Sequence, residues 1–299
     1  MKIYTHQAVD LDAVASVWAA RKFAPMANKA EVVFVPANWD GAEMVDGDIA
    51  VDIYAGGKGA SKGEQDSDGT THSAFEAILN RYAPREDREA LVALAMFIDA
   101  GDSSSNAIKT LVPTASRKAQ KALNATGLMA VFIAMKHVTH NDAMLVEWVG
   151  KIFDGLLQMG REEARAVELA GKIAVVDGVA IAHNTSGAVR RSLYDDYGAR
   201  MIVFVNDRDK ALGLHRRDDE TTRTDHPIIR AVVEATGEAV AKNEGGESGK
   251  WFAHSAGFLF CWGSRKAPAK SKSRVRPEAL ADAARAALAA ADAEAADKK

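Results

Sequence analysis

The chain has 299 residues, 47% hydrophobic and 26% charged, with 38 Lys and Arg against 41 Asp and Glu, a formal net charge of −3. That length accommodates two domains with ordinary apolar cores. The near balance of charge excludes a global pull toward nucleic acid, and the single cysteine, Cys261, excludes a disulfide framework or a cysteine-built zinc site.

Strand and helix signals alternate at the N-terminus. Residues 2–4 read as a short strand, and residues 11–23 as a helix with Val14, Ala15, Val17 and Trp18 on one side. Residues 31–35 form a β-branched run bounded by Pro36. Residues 48–53 form another strand, closing in the glycine-rich stretch around Gly56 and Gly57. Alternation of this kind predicts a parallel α/β sheet. Helices are expected over 73–82, 88–97, 125–137 and 143–170, the last with Leu145, Trp148, Val149, Ile152, Leu156 and Met159 spaced for one buried face.

The pattern then changes to short strands at 172–176, 179–182, 201–205 and 211–214, a helix at 228–237 and a final strand at 258–262. The fold expected is therefore a parallel-sheet N-terminal α/β domain over 1–170 and a smaller α+β domain over 171–264. A basic and then alanine-rich tail follows over 265–299. Proline at 277 and Glu278 suit a helix N-terminus, but the tail shows almost no apolar face and is expected to be a solvated appendage. With a first strand expected from Lys2, no signal peptide is expected. No apolar run approaches the roughly 20 residues that span a bilayer, so the expected location is cytoplasmic.

The strongest chemical signal is His6, Asp10 and Asp12, where a strand ends and a helix begins, with Ala15 and Ser16 following. Ligands of open α/β sheets bind outside the carboxyl ends of the strands. One imidazole and two carboxylates suit manganese or magnesium better than a soft metal. Asp10 also stands where a helix cap belongs, and a cap would account for that one carboxylate alone.

This segment resembles the first motif of the DHH phosphoesterase superfamily. The strand of residues 48–53 looks like its second motif, with the metal-bridging aspartate at Asp52. Residues 97–102 look like its fourth, with the ligand at Asp99 and Asp102 close by. The third motif departs, because no Asp-His-His triplet is present. Asp66, Asp68 and His72 stand in its region as replacement ligands, or as parts of a solvated polar loop. Trp251 to Phe258, with His254, Ser255 and Gly257, looks like the substrate-binding motif of the DHH-associated domain. Its style is closest to the melanocyte-proliferating-gene exonuclease family.

The resemblance implies two manganese ions, with magnesium as the alternative, on His6, Asp10, Asp12, Asp52 and Asp99, where Asp52 and Asp99 carry the catalysis. Arg216 and Arg217 follow a predicted strand and would grip phosphate as paired guanidinium forks, unless Asp218, Asp219 and Glu220 neutralise them in a surface turn. The expected activity is two-metal phosphodiester hydrolysis, as a 3′–5′ exonuclease or oligoribonuclease on short single-stranded RNA. The basic stretch from Arg265 to Arg276 is a candidate for added phosphate contacts, or a solvated linker. The alternatives are a nucleotide- or RNA-binding module with impaired catalysis, and a pyrophosphatase or cyclic-dinucleotide phosphodiesterase. No membrane partner is expected, and the sequence does not set an oligomeric state.

Overall fold

The computed structural model describes residues 1–58, 73–104, 106–241, 249–263 and 269–297. In it the N-terminal alternation becomes a parallel sheet. Strand β1, Lys2–His6, lies between β2, Glu31–Val35, and β3, Ile49–Ala50, and both pairings are parallel. Proline at 36 has no amide to donate and restricts the residue before it, which ends β2. The chain runs from β1 through helix α1, Leu11–Phe23, to β2 on one side, then crosses to β3 on the other. The strand order thus reverses at β1. His6 closes β1 and Asp52 follows β3, so both stand at the carboxyl ends of the strands where such a reversal opens a crevice.

Every residue of α1 from Leu11 to Ala20 is buried, so this helix is a core element and not an amphipathic surface one. The Trp18 ring lies 5.9, 6.4 and 5.5 Å from the rings of Phe23, Phe75 and Phe153. Among the described residues, seven more α-helices follow: α2 Ala74–Tyr82, α3 Arg85–Ala90, α4 Val92–Ser103, α5 Ala107–Leu111, α6 Arg117–Thr126, α7 Leu128–Val138 and α8 Asp142–Ala170. The helix expected at 88–97 is two helices meeting at Leu91. The one expected at 125–137 starts at Leu128, because Gly127 ends α6 and begins α7. The buried face of α8 in the first core is Leu145, Val146, Val149, Phe153 and Leu157, while the expected Met159 is 57% exposed. Arg161 grips the buried Asp87 with two bonds of 2.7 and 2.9 Å.

The structure is mixed α/β and divides into two compact units, Met1–Arg161 and Glu162–Lys299, with the division inside α8. The second unit holds β4 Val175–Val176, β5 Val179–His183, α9 Gly187–Asp195, β6 Met201–Asn206, β7 Ala211–Arg216, α10 Pro227–Glu234, β8 Trp251–Ala253, β9 Leu259–Trp262 and α11 Pro277–Ala296. Its six strands pair in the order β4-β5-β6-β7-β9-β8, parallel between β5 and β6 and antiparallel elsewhere. Gly213 sits mid-strand in β7, where a Cβ would come within 2.4 Å of Phe204 and 2.5 Å of Cys261, so no side chain fits there.

The C-terminal segment differs from the solvated appendage expected. Leu280, Ala281, Ala283, Ala284, Ala287 and Leu288 of α11 are buried with Trp251, Phe260 and Met201. Methyl side chains let the helix backbone approach the sheet closely, so alanine serves as an apolar face that a search for large residues overlooks. Arg200 bonds Asp292 of α11 at 2.7 and 2.9 Å and Glu220 at 2.6 Å. Among the described residues no helix is long and apolar enough to cross a membrane.

Candidate metal centre at the end of the parallel sheet

β1 delivers His6 and the turn after β3 delivers Asp52, whose φ of 53° places it in the left-handed region that aspartate tolerates better than most residues. His6 Nε2 lies 3.0 Å from Asp52 Oδ2 and 4.0 Å from Asp10 Oδ1. Its Nδ1 lies 2.9 Å from the Gln7 carbonyl, which can only accept, so Nδ1 carries a proton. Nε2 then either donates a second proton to the Asp52 carboxylate or accepts one from its protonated form. Asp52 pushes the His6 pKa up to about 9, chiefly through that hydrogen bond and against the effect of burial. Without another cation, the site therefore holds a proton between imidazole and carboxylate.

One ligand atom each from His6, Asp10 and Asp52 lies within 4.8 Å of the others, and among the described residues this is the cluster that could hold a metal ion. Asp10 serves two purposes. Its Oδ1 caps α1 by accepting from the Ala13 amide at 3.0 Å, yet its side chain remains 58% exposed beside His6.

Asp12 is placed differently. It is buried, and its two oxygens accept from the amides of Ala74 at 2.9 Å and Phe75 at 2.8 Å, with Ser16 adding a bond of 3.3 Å. Burial, and then the neighbouring Asp52, push its pKa up to about 8. Asp99, on α4, accepts from the Ser73 amide at 2.7 Å. Two carboxylates from different helices thus receive three consecutive amides at the start of α2, where the helix dipole is positive. Neither belongs to the three-residue cluster. Asp66, Asp68 and His72 lie outside the described residues.

The sequence reading missed the residues that hold the His6–Asp10 loop. The Ala8 amide donates to Asp142 at 2.8 Å, and Lys136 donates to the Val9 carbonyl at 2.9 Å. Both lie more than a hundred residues away, and no local pattern announces them.

In the second unit, Arg216, His254, Ser255 and Gly257 come together at the β8–β9 turn. Arg216 donates to the carbonyls of Gly257 at 3.2 Å and Ala256 at 3.3 Å, and Arg223 donates to that of Ser255 at 2.9 Å. The His254 ring lies 4.0 Å from that of Phe258, and His254 Nδ1 accepts from the Ala256 amide. Arg217 instead pairs with Asp219. Of the basic stretch, Lys272 pairs with Asp207 at 2.6 Å, and the Arg274 guanidinium donates to the Thr236 carbonyl at 3.4 Å.

The family described as ChrB, C-terminal domain, has a model that matches residues 4–160, more than half of the chain and nearly all of its first unit. That is not the superfamily the motifs resemble. No curated protein matches the chain. Among solved structures, a chain described as "pGpG-specific phosphodiesterase - PggH from Vibrio cholrae" is similar at 11% identity, over 88% of this chain and 93% of that one. Its TM-score of 0.32 is too low to carry an argument.

Proposed function

We propose that this chain, which belongs to the ChrB C-terminal domain family, is a metal-dependent phosphoester hydrolase whose ion is held by His6, Asp10 and Asp52. The observation that carries the reading is the convergence of one imidazole and two carboxylates within 4.8 Å at the reversal point of a parallel sheet. The donor set fits a hard divalent ion, manganese before magnesium. When bound, such an ion supplies Lewis acidity toward a phosphate oxygen and lowers the pKa of water.

The chain's own groups prepare that chemistry. The Gln7 carbonyl holds the Nδ1 proton of His6, which orients the ring and leaves Nε2 as the donor atom once its second proton departs. Asp52 faces Nε2 and carries negative charge toward the same point. Asp10 is fixed by the start of α1, which holds its Oδ1 4.0 Å from His6 Nε2. Asp12 and Asp99 anchor α2 beside the cluster, and a role for them as further ligands requires the carboxylates to keep lone pairs beyond those used by the amides.

The substrate class proposed is a phosphodiester in a short oligonucleotide, on the resemblance to the DHH exonucleases. On the same resemblance, the loop of His254, Ser255 and Gly257 is proposed as a phosphate-binding element of the second unit, with Arg216 shaping that loop. A second reading, a nucleotide-binding module that does not cleave, draws support from the commitment of Asp12 and Asp99 to α2. Incubating a 5′-labelled short RNA with the protein and manganese separates the two. Cleavage lost in both His6→Ala and Asp52→Ala supports the hydrolase. If wild type leaves RNA, pyrophosphate and cyclic dinucleotides all intact while still binding nucleotide, the second reading replaces the first.

A further inference from the structure

His6 and Asp10 are separated by three residues that belong to neither β1 nor α1. The middle one, Ala8, has φ of 58°, a left-handed conformation that costs an alanine and is not imposed by its own side chain. Something outside the loop has to hold it. Two side chains do so. Asp142, in the first turn of α8, accepts the Ala8 amide at 2.8 Å, and Lys136, in the last turn of α7, donates to the Val9 carbonyl at 2.9 Å.

Both are partly buried and both are themselves steadied. The Lys136 ammonium lies 5.7 Å over the ring of Phe132, the one fully buried residue of α7, four positions earlier on the same helix. Asp142 follows Asn141, whose side chain accepts the Met144 amide at 3.1 Å and so fixes the start of α8. The third tie is the Gln7 amide to the Val35 carbonyl at 2.8 Å, on the β2 side. The backbone of the three loop residues is thus tied to β2, α8 and α7 in turn.

We propose that Asp142 and Lys136 are positioning residues for the His6–Asp10–Asp52 cluster: they clamp the loop backbone between the first two ligands and set the 4.0 Å between His6 and Asp10. Neither is among the three residues of the cluster. The clamp acts by keeping Ala8 left-handed, so that the chain turns sharply enough for Asp10 to cap α1 and face His6 at the same time. The inference rests on the metal-dependent reading above.

The test is the manganese affinity of the full chain by isothermal titration, for Asp142→Ala, Asp142→Asn, Lys136→Met and Lys136→Arg. The melting temperature of each metal-free variant is measured alongside. Groups that orient metal ligands from outside typically alter affinity by 10–100-fold when removed. Asp142→Ala and Lys136→Met are expected to weaken binding about 10-fold or more. Asp142→Asn keeps an acceptor and Lys136→Arg a donor, so both are expected to recover most of the affinity. A purely structural role predicts instead that affinity follows the melting temperature and ignores the conservative rescue. The clamp is overturned if wild type binds manganese and the alanine and methionine variants bind it equally well. If wild type binds no manganese, the metal-dependent reading falls and takes the clamp with it.

Discussion

His6 and His215 are shifted in opposite directions, and the contrast separates the two units. His6 stands among carboxylates, and its hydrogen bond to Asp52 raises its pKa to about 9. His215, on β7, is lowered by burial and by Arg190, and its Nδ1 lies 3.0 Å from the Tyr194 hydroxyl. The same difference runs through the surrounding charges. In the first unit, carboxylates converge on one imidazole and burial holds Asp12 and Asp52 above the usual carboxylate range. In the second, guanidinium groups meet carboxylates or backbone carbonyls: Arg200 with Glu220 and Asp292, Arg223 with Asp225, Arg216 with the turn at Ala256 and Gly257. A cluster whose like charges crowd together has capacity for a cation. One whose charges are paired contributes mainly to structure.

The largest effect expected from this comparison lies in the second unit and leaves the first untouched. Gly213→Ala forces a methyl group against Phe204 and Cys261, an overpacking that costs about 1–3 kcal/mol or more. Urea unfolding should show the loss, with manganese affinity unchanged. A change in that affinity would mean that the units are coupled. Next comes Arg216→Ala. It removes donors to two carbonyls of the β8–β9 turn and should cost about 1–3 kcal/mol, read as faster amide exchange around His254. If the variant keeps full stability but loses nucleotide affinity, Arg216 contacts substrate and the pairing described here is not its main role.

The smallest effect is the sharpest test of the contrast. A histidine with a raised folded pKa gives stability that is complete below its unfolded value near 6.5 and is lost as pH rises through about 9. A histidine with a lowered folded pKa does the reverse, so His215 removes stability as pH falls below about 6.5. In the metal-free protein, amide protection factors, which correct for the base catalysis of exchange itself, should therefore fall across β1 from pH 6.5 to 9 and across β7 from pH 6.5 downward. His6→Gln should flatten the first trend and His215→Gln the second. Matching slopes in the two strands would sink the distinction.

Much of the first unit was legible in the sequence because its signals are local. Residues 11–23 are the predicted helix to the residue, and Glu31–Val35 is the predicted strand. His6 and Asp10 were named from their spacing at a strand end and Asp52 from the resemblance to a family motif, and the fold brings their ligand atoms together. Asp12 was named from the spacing after His6 and Asp99 from the motif resemblance. Their carboxylates are occupied by amides of residues 73–75, partners that a spacing pattern does not reveal. In the second unit the strand over 251–253 was read only as part of a motif. The helices over 187–195 and 117–126 were missed because neither has a long apolar run.

Residue type and short-range spacing determined where strands end, which residues cap helices, and that a histidine and an aspartate of metal-ligand type stand at the end of the first strand. They did so because these are properties of a few consecutive residues. Only the tertiary structure decided which carboxylates remain available, why Ala8 adopts a left-handed turn, and that an alanine-rich helix forms a core face. Each of those outcomes depends on a partner dozens to more than a hundred residues away. Amide, ammonium and methyl partners of that kind leave no mark on the local sequence of the residue they constrain.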